Sequence, residues 1–203
     1  MNDIAPVRRL APVSQAIQPA KFAHFVLRTG QIDKLAEWYR IVLGARIVFQ
    51  HERLCFLSYD DEHHRIAIVN VPQANPRDPN AEGLDHLSFT YGSLTDLLAT
   101  YARLKVVGIE PFCPVNHGPT TSLYYHDPDG NRIELQIDNF DDLDKCAELM
   151  KGLGGFNPIG LLVDPNELAE QLAAGATQEE LVQKTAEQIG PLDPKLLEMI
   201  TAP

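Results

Sequence analysis

Cysteine is scarce in this sequence. Its three residues, Cys55, Cys113 and Cys146, fall at spacings that match neither a metal finger nor a redox pair. A disulfide framework is thereby excluded, and the thiols read as free groups in a reducing compartment. Long apolar runs are missing too: no stretch approaches the roughly 20 residues that a membrane-spanning helix needs. Positive charge is in deficit, with 17 basic residues against 28 acidic ones and a net charge of −11. That balance argues against nucleic acid or an anionic membrane as a partner. The opening Met1-Asn2-Asp3 lacks a basic region followed by an apolar stretch. No secretory signal is therefore expected, and the expected location is cytoplasmic.

What is present is an ordinary globular composition, 44% hydrophobic and 22% charged, over 203 residues. That length suits one domain with an extension. The most informative stretch runs from Ser122 to Gln136. Asp127-Pro128-Asp129-Gly130-Asn131 reads as a tight turn, in which Pro128 presets φ and Gly130 or Asn131 takes a positive φ. Aromatic and β-branched residues flank it, which predicts a β-hairpin. After the turn, Ile133, Leu135 and Ile137 point one way and Arg132, Glu134 and Gln136 the other. Glu134 thus falls mid-strand on a polar face, either solvated or a ligand inside a polar cavity.

Upstream, the chain repeats itself. Phe22 to Arg28 is a predicted strand containing His24. Ile32, Leu35, Tyr39, Val42 and Leu43 follow helical spacing, and Gly44 closes that helix. Strands are predicted over residues 46–50, 53–59 and 65–71, then a loop over 72–82. A strand at 85–90 contains His86, and Leu94, Leu97, Leu98, Tyr101 and Leu104 follow helical spacing. Strands near 111–115 and 120–125 lead into the hairpin. His24 matches His86, Gly30 matches Gly92 and Tyr39 matches Tyr101, each pair 62 positions apart (24 to 86, 39 to 101). This is an internal duplication of a strand-helix-strand-strand-strand unit. The expected organisation is an arm over 1–20, a domain over 21–140 with repeats at about 22–71 and 84–137, and a helical extension over 141–203. Helices are expected at 141–151, after Asp164-Pro165-Asn166-Glu167 and Thr177-Gln178-Glu179-Glu180, both read as capping boxes, and after Asp193-Pro194. The extension reads as a structural tail without chemistry.

Strand alternation puts His24 with Val26 and Arg28, and His86 with Ser88 and Thr90, on the faces away from the helices. One histidine on a strand is ordinarily packed or hydrogen-bonded. Two at equivalent repeat positions, with Glu134 on the last strand, make a candidate metal set. Two histidines and a carboxylate on one side of a metal leave adjacent positions open, which suits non-haem Fe(II) oxygen chemistry and also serves Mn(II). A tetrahedral version serves Zn(II).

These features together resemble the vicinal oxygen chelate superfamily, the glyoxalase, bleomycin-resistance and dioxygenase group. The resemblance covers about 22–137. It implies an α+β fold in which paired βαβββ modules form an open barrel around a metal, with a helical C-terminal extension here. Three further stretches resemble its type I extradiol ring-cleavage dioxygenases in a single-domain form. In Glu62-His63-His64-Arg65-Ile66-Ala67-Ile68 the resemblance implies that His64 is the acid/base. Alternation predicts His63 and His64 on opposite faces, His64 sharing an apolar side with Ile66 and Ile68. Tyr124, ten residues before Glu134, matches a tyrosine that hydrogen-bonds a substrate hydroxyl. Asn116-His117-Gly118 matches a loop carrying another active-site histidine.

The implied function is extradiol cleavage of a catechol-type aromatic diol by O₂, within aromatic catabolism. The implied metal is Fe(II), or alternatively Mn(II), held by His24, His86 and Glu134. The expected partners are the diol and O₂, with no nucleic acid and no membrane, in a homo-oligomer. The alternatives are a metal-dependent thiol transferase of the fosfomycin-resistance kind and a metal-free ligand-binding protein of the same fold.

Overall fold

A computed structural model describes residues 17–201 apart from 79 and 154. Most of the expected N-terminal arm, residues 1–16, lies outside the described residues. The first repeat runs β1 (Phe25–Thr29), α1 (Ile32–Leu43), β2 (Arg46–His51), β3 (Leu54–Ser58), β4 (Ile66–Asn70). The second runs β5 (His86–Thr90), α2 (Leu94–Val106), β6 (Cys113–Asn116), β7 (Thr120–His126), β8 (Arg132–Asp138). Then follow α3 (Leu143–Leu153), β9 (Leu161–Leu162), α4 (Pro165–Ala173), α5 (Gln178–Glu187) and α6 (Pro194–Thr201). Each repeat makes its own sheet, ordered β1-β4-β3-β2 and β5-β8-β7-β6-β9, with the first strand parallel to the last of its unit. The sheets stay open rather than closing into a barrel. Where they meet, the Phe89 ring touches Phe25 at 6.1 Å and Tyr59 at 5.8 Å.

The helices form where the apolar spacing predicts them. Leu35, Tyr39 and Val42 of α1 and Leu94, Leu97 and Leu104 of α2 are buried in one core with the helix-facing strand residues Leu123, Tyr125, Ile133, Leu135 and Ile137. Each such leucine contributes about 1.5–3 kcal/mol by leaving water. Gly44 ends α1 at φ +61°, left-handed backbone that glycine takes without a side-chain clash. Ser93 starts α2 by accepting a hydrogen bond from the Asp96 amide.

Several local expectations need correction. β1 begins at Phe25, so His24 immediately precedes it. The carbonyls of Phe22 and Ala23 are taken by the Arg65 guanidinium rather than by a neighbouring strand. His63 and His64 also precede their strand, because β4 starts at Ile66, and strand alternation does not govern them. Thr177 and Glu180 make the predicted capping box. At Asp164 the carboxylate instead accepts from both the amide and the side chain of Asn166, without a reciprocal bond from Glu167. The extension is more than a terminal cover. β9 pairs with β6, and Leu196, Met199 and Ile200 of α6 pack with Cys113, Val115 and Tyr124 on the sheet face that faces away from α2.

The repeats diverge where α1 meets the hairpin. The Tyr39 hydroxyl donates to Asp127 Oδ2 at 3.1 Å in a buried contact. Asp127 Oδ1 in turn accepts from the amides of Asp129 and Asn131, which shapes the turn, and Gly130 takes the positive φ at +79°. The equivalent Tyr101 donates instead to Asn166 Oδ1, which a lysine also reaches. Tyr39→Phe is expected to lower unfolding free energy by about 1–2 kcal/mol, since it withdraws a donor from a buried carboxylate. Tyr101→Phe should cost less than half as much. Urea denaturation of both variants decides this, and a larger loss for Tyr101→Phe would break the argument.

Candidate active site

β8 lies between β5 and β7, so Glu134 stands opposite Ser88 on one side and Tyr124 on the other. Its side chain points to the face away from α2 and is 4% exposed. A buried carboxylate requires donors, and its neighbours supply them. His86 Nε2 lies 3.2 Å from Glu134 Oε2, and the Tyr124 hydroxyl donates to Oε1 at 3.0 Å. Burial alone would raise the carboxyl pKa. Hydrogen bonds from His86, Ser122, Ser88 and Tyr124 outweigh it and bring the value down to about 2. The hydrogen bond to Glu134 lifts His86 to about 9 against the effect of burial, helped by Asp85, whose Oδ2 sits 2.6 Å from Nδ1. Burial first, and Glu134 second, hold the Tyr124 hydroxyl well above the usual phenol range, so it remains protonated.

His117 joins from the loop after β6. Its Nε2 is 3.0 Å from the Tyr124 hydroxyl, and its Nδ1 bonds the carbonyl of Ile159. The proton count is informative. A carbonyl only accepts, so Nδ1 must carry a proton. Burial pushes His117 below the usual histidine value, and the neutral ring then has no second proton. Its Nε2 is an acceptor. Tyr124 therefore has one proton for two acceptors, Glu134 Oε1 and His117 Nε2.

A second histidine group sits on the first sheet. The His64 ring lies 4.4 Å from His24 and 4.7 Å from Phe56, on which it stacks. The His63 ring is 4.5 Å from His64 and their Nδ1 atoms are 2.6 Å apart, so the two are neighbours rather than opposites. The register pairs Ile66 with Phe25, and Ile66 and Ile68 belong to the helix-facing core. The apolar side expected for His64 is therefore supplied by Phe56 instead. Burial, then His24 and His63, lower the His64 pKa.

The predicted site residues thus fall into two groups: His86, Tyr124, Glu134 and His117 on the second sheet, and His24 and His64 on the first. Among the described residues no group of three histidine, cysteine or carboxylate side chains is arranged to hold an ion. The donor chemistry of His86 and Glu134 does fit a divalent cation. Imidazole and carboxylate face each other, with Asp85 orienting one and Tyr124 the other, as outer partners of metal ligands do. A cavity of about 820 Å³ lined by Arg28, Gln31, Arg77 and Asn131 contains none of these residues. Sequence reasoning missed Asp85, although it adjoins His86. It also missed Ile159, whose contribution is a main-chain carbonyl that no motif could reveal.

Residues 21–135 match the family model described as Glyoxalase/Bleomycin resistance protein/Dioxygenase superfamily. Two Rhodococcus globerulus proteins are similar over most of the chain. Biphenyl-2,3-diol 1,2-dioxygenase 2 is 48% identical over 158 residues, 76% of this chain and 83% of that one. Biphenyl-2,3-diol 1,2-dioxygenase 3 is 44% identical over 167 residues, 81% and 88%. A glyoxylase/bleomycin resistance protein/dioxygenase domain from Frankia sp. EAN1pec shares the fold, with a TM-score of 0.50 at 22% identity over 66% of this chain and 96% of that one. With a duplicated βαβββ unit, an open pair of sheets and these relatives, the chain belongs to the glyoxalase/bleomycin resistance protein/dioxygenase superfamily.

Proposed function

We propose that this protein is an extradiol dioxygenase, which opens the ring of a catechol-type diol next to its two hydroxyls and adds both atoms of O₂. The observation that carries the reading is the convergence of His86 and Tyr124 on the buried Glu134, with His117 bonded in turn to the Tyr124 hydroxyl. The two biphenyl-2,3-diol dioxygenases support it and make biphenyl-2,3-diol the first substrate to test. The cofactor is a non-haem metal, and we take it to be Fe(II), held by His86, Glu134 and His24. His24 is included because it occupies the position of His86 in the first repeat. When bound, such a metal lets the diol and O₂ exchange electrons in adjacent positions.

The chain's own groups handle orientation and protons. Tyr124 turns its single proton from Glu134 or His117 to a substrate oxygen when the diol binds, fixing which hydroxyl lies toward His117. His64, beside His24 and stacked on Phe56, takes a proton from the incoming diol and returns it to the product, as a positioned imidazole does. Phe112, Met199 and Ile200, packed near Tyr124, offer an apolar wall to the ring. No helix among the described residues is long and apolar enough to cross a membrane. The free thiols of Cys55, Cys113 and Cys146 support a cytoplasmic location, and we expect a homo-oligomer.

Two predictions follow the ligand and proton assignments. Glu134→Ala and His24→Ala are each expected to lose most bound iron while remaining folded, read by elemental analysis of anaerobically purified protein. Full metal content in His24→Ala would remove His24 from the set. His64→Phe should keep its iron and still bind diol, with turnover lower by about 10²-fold or more. His63→Phe should lower turnover less than His64→Phe does, since its ring is largely solvent-exposed and acts only through its Nδ1 contact to His64. An oxygen electrode with one- and two-ring diols measures both. Absence of O₂ uptake with every diol, combined with thiol-dependent opening of an epoxide, would instead indicate a thiol transferase.

A further inference from the structure

The C-terminal extension grips the His117 loop from several sides. Asn116, which is 1% exposed, donates from Nδ2 to the Val182 carbonyl in α5, while its Oδ1 accepts from the Gly118 amide. Asn139 donates to the Gly118 carbonyl at 2.7 Å. Gly118, at φ +97°, lies so close to α3 that an added Cβ would come within 2.8 Å of Leu153. On the other side a turn at 157–160 crosses β6. Asn157, also 1% exposed, organises that turn by accepting from the amides of Ile159 and Gly160 and donating to the carbonyls of Gly160 and Gly190. A Cβ on Gly160 would sit 2.1 Å from the Asn116 carbonyl oxygen, so only glycine permits this approach. The turn brings one carbonyl, that of Ile159, to His117 Nδ1.

We propose that Asn157 is a positioning residue for the reaction: its turn presents the Ile159 carbonyl to His117 and so locks the imidazole as the Nδ1–H tautomer, with Nε2 an acceptor facing Tyr124. The inference rests on the dioxygenase reading for its catalytic consequence, but the tautomer itself does not depend on that reading. Without the carbonyl, His117 is free to move its proton to Nε2 and donate it to the Tyr124 oxygen. Tyr124 would then hold its own proton on Glu134 and would not share it. The extension thereby decides whether the Tyr124 proton alternates between two acceptors or stays on one. The Asn157 side chain bonds only main-chain groups of the turn and of Gly190, which is why it positions rather than catalyses.

The test has a spectroscopic arm and a kinetic arm. Long-range ¹H–¹⁵N correlation on the metal-free full-length chain, with His117 assigned through His117→Gln, should show Nδ1 protonated and Nε2 unprotonated. In Asn157→Ala, and independently in Gly160→Ala, the resonances should move toward the Nε2–H form. The kinetic arm uses the iron-loaded protein and biphenyl-2,3-diol. Asn157→Ala should lower kcat by about 10-fold, the scale of removing an outer-shell partner, with KM little changed. The same substitution on a His117→Ala background should cause no further loss. The proposal is overturned by a wild-type His117 protonated at Nε2, a result that stands even if neither variant folds. It is also overturned if Asn157→Ala lowers kcat equally with and without His117. If wild-type protein turns over no diol, the dioxygenase reading fails while the spectra still decide the tautomer.

Discussion

A carboxylate buried in the middle of a central strand is the constraint around which this molecule is arranged. Left alone, the charge of Glu134 would cost several kcal/mol in a poorly solvating interior. The cost is offset by donors from the flanking strands: Ser88 and His86 from β5, Ser122 and Tyr124 from β7. Those donors require β8 to have a parallel neighbour on one side and an antiparallel one on the other, in register. The parallel neighbour requires the α2 crossover. The fold and the polar cluster thus depend on each other, and this sheet face is stabilised by the polar groups that line it.

Duplication supplied two such sheets, and they are not used alike. The second is covered on both faces, by α2 on one and by α6 and the 157–160 turn on the other. Among the described residues the first is covered by α1 alone. Its other face leaves Val26 53% exposed and Phe49 48% exposed beside His24 and His64. An apolar surface of this kind, next to imidazoles, is where an aromatic ring gains most by leaving water. Polar groups whose distances matter are held on the buried sheet, and apolar surface awaits on the open one.

How much of this could be read from the sequence depends on the range of the interaction. His24 and His86 were legible as equivalent positions of the two repeats because a duplication preserves register, and the face of Glu134 was legible because strand alternation has a period of two. The link from Tyr39 to Asp127 was not, since the repeat predicts the same environment for Tyr101. The parity assigned to His63 and His64 failed for a local reason. Arg65 turns its side chain back to residues 22 and 23, β4 starts only at Ile66, and alternation has no hold on residues before a strand. The contribution of the extension was least legible. Its helices were marked by caps and prolines, but where they dock depends on asparagine side chains meeting main-chain carbonyls far away in the chain.

That docking carries a general consequence for how the site is kept accurate. Asn116, Asn139 and Asn157 are each at most 4% exposed, and most of their hydrogen bonds run to backbone groups, with Asn139 also bonding the Asn116 and Thr121 side chains. Buried amides of this kind add little net stability compared with apolar packing, because each bond only replaces one made to water. They are demanding instead: a shift of an ångström leaves a donor or acceptor unsatisfied at a cost of about 1–3 kcal/mol. A hydrophobic dock would tolerate such a slide, since dispersion is non-directional. Fastening the extension through asparagines therefore fixes where the Ile159 carbonyl sits relative to His117, which packing of α6 alone would leave loosely set. Tyr124, placed between that histidine and Glu134, inherits its geometry from both ends of the chain's second half.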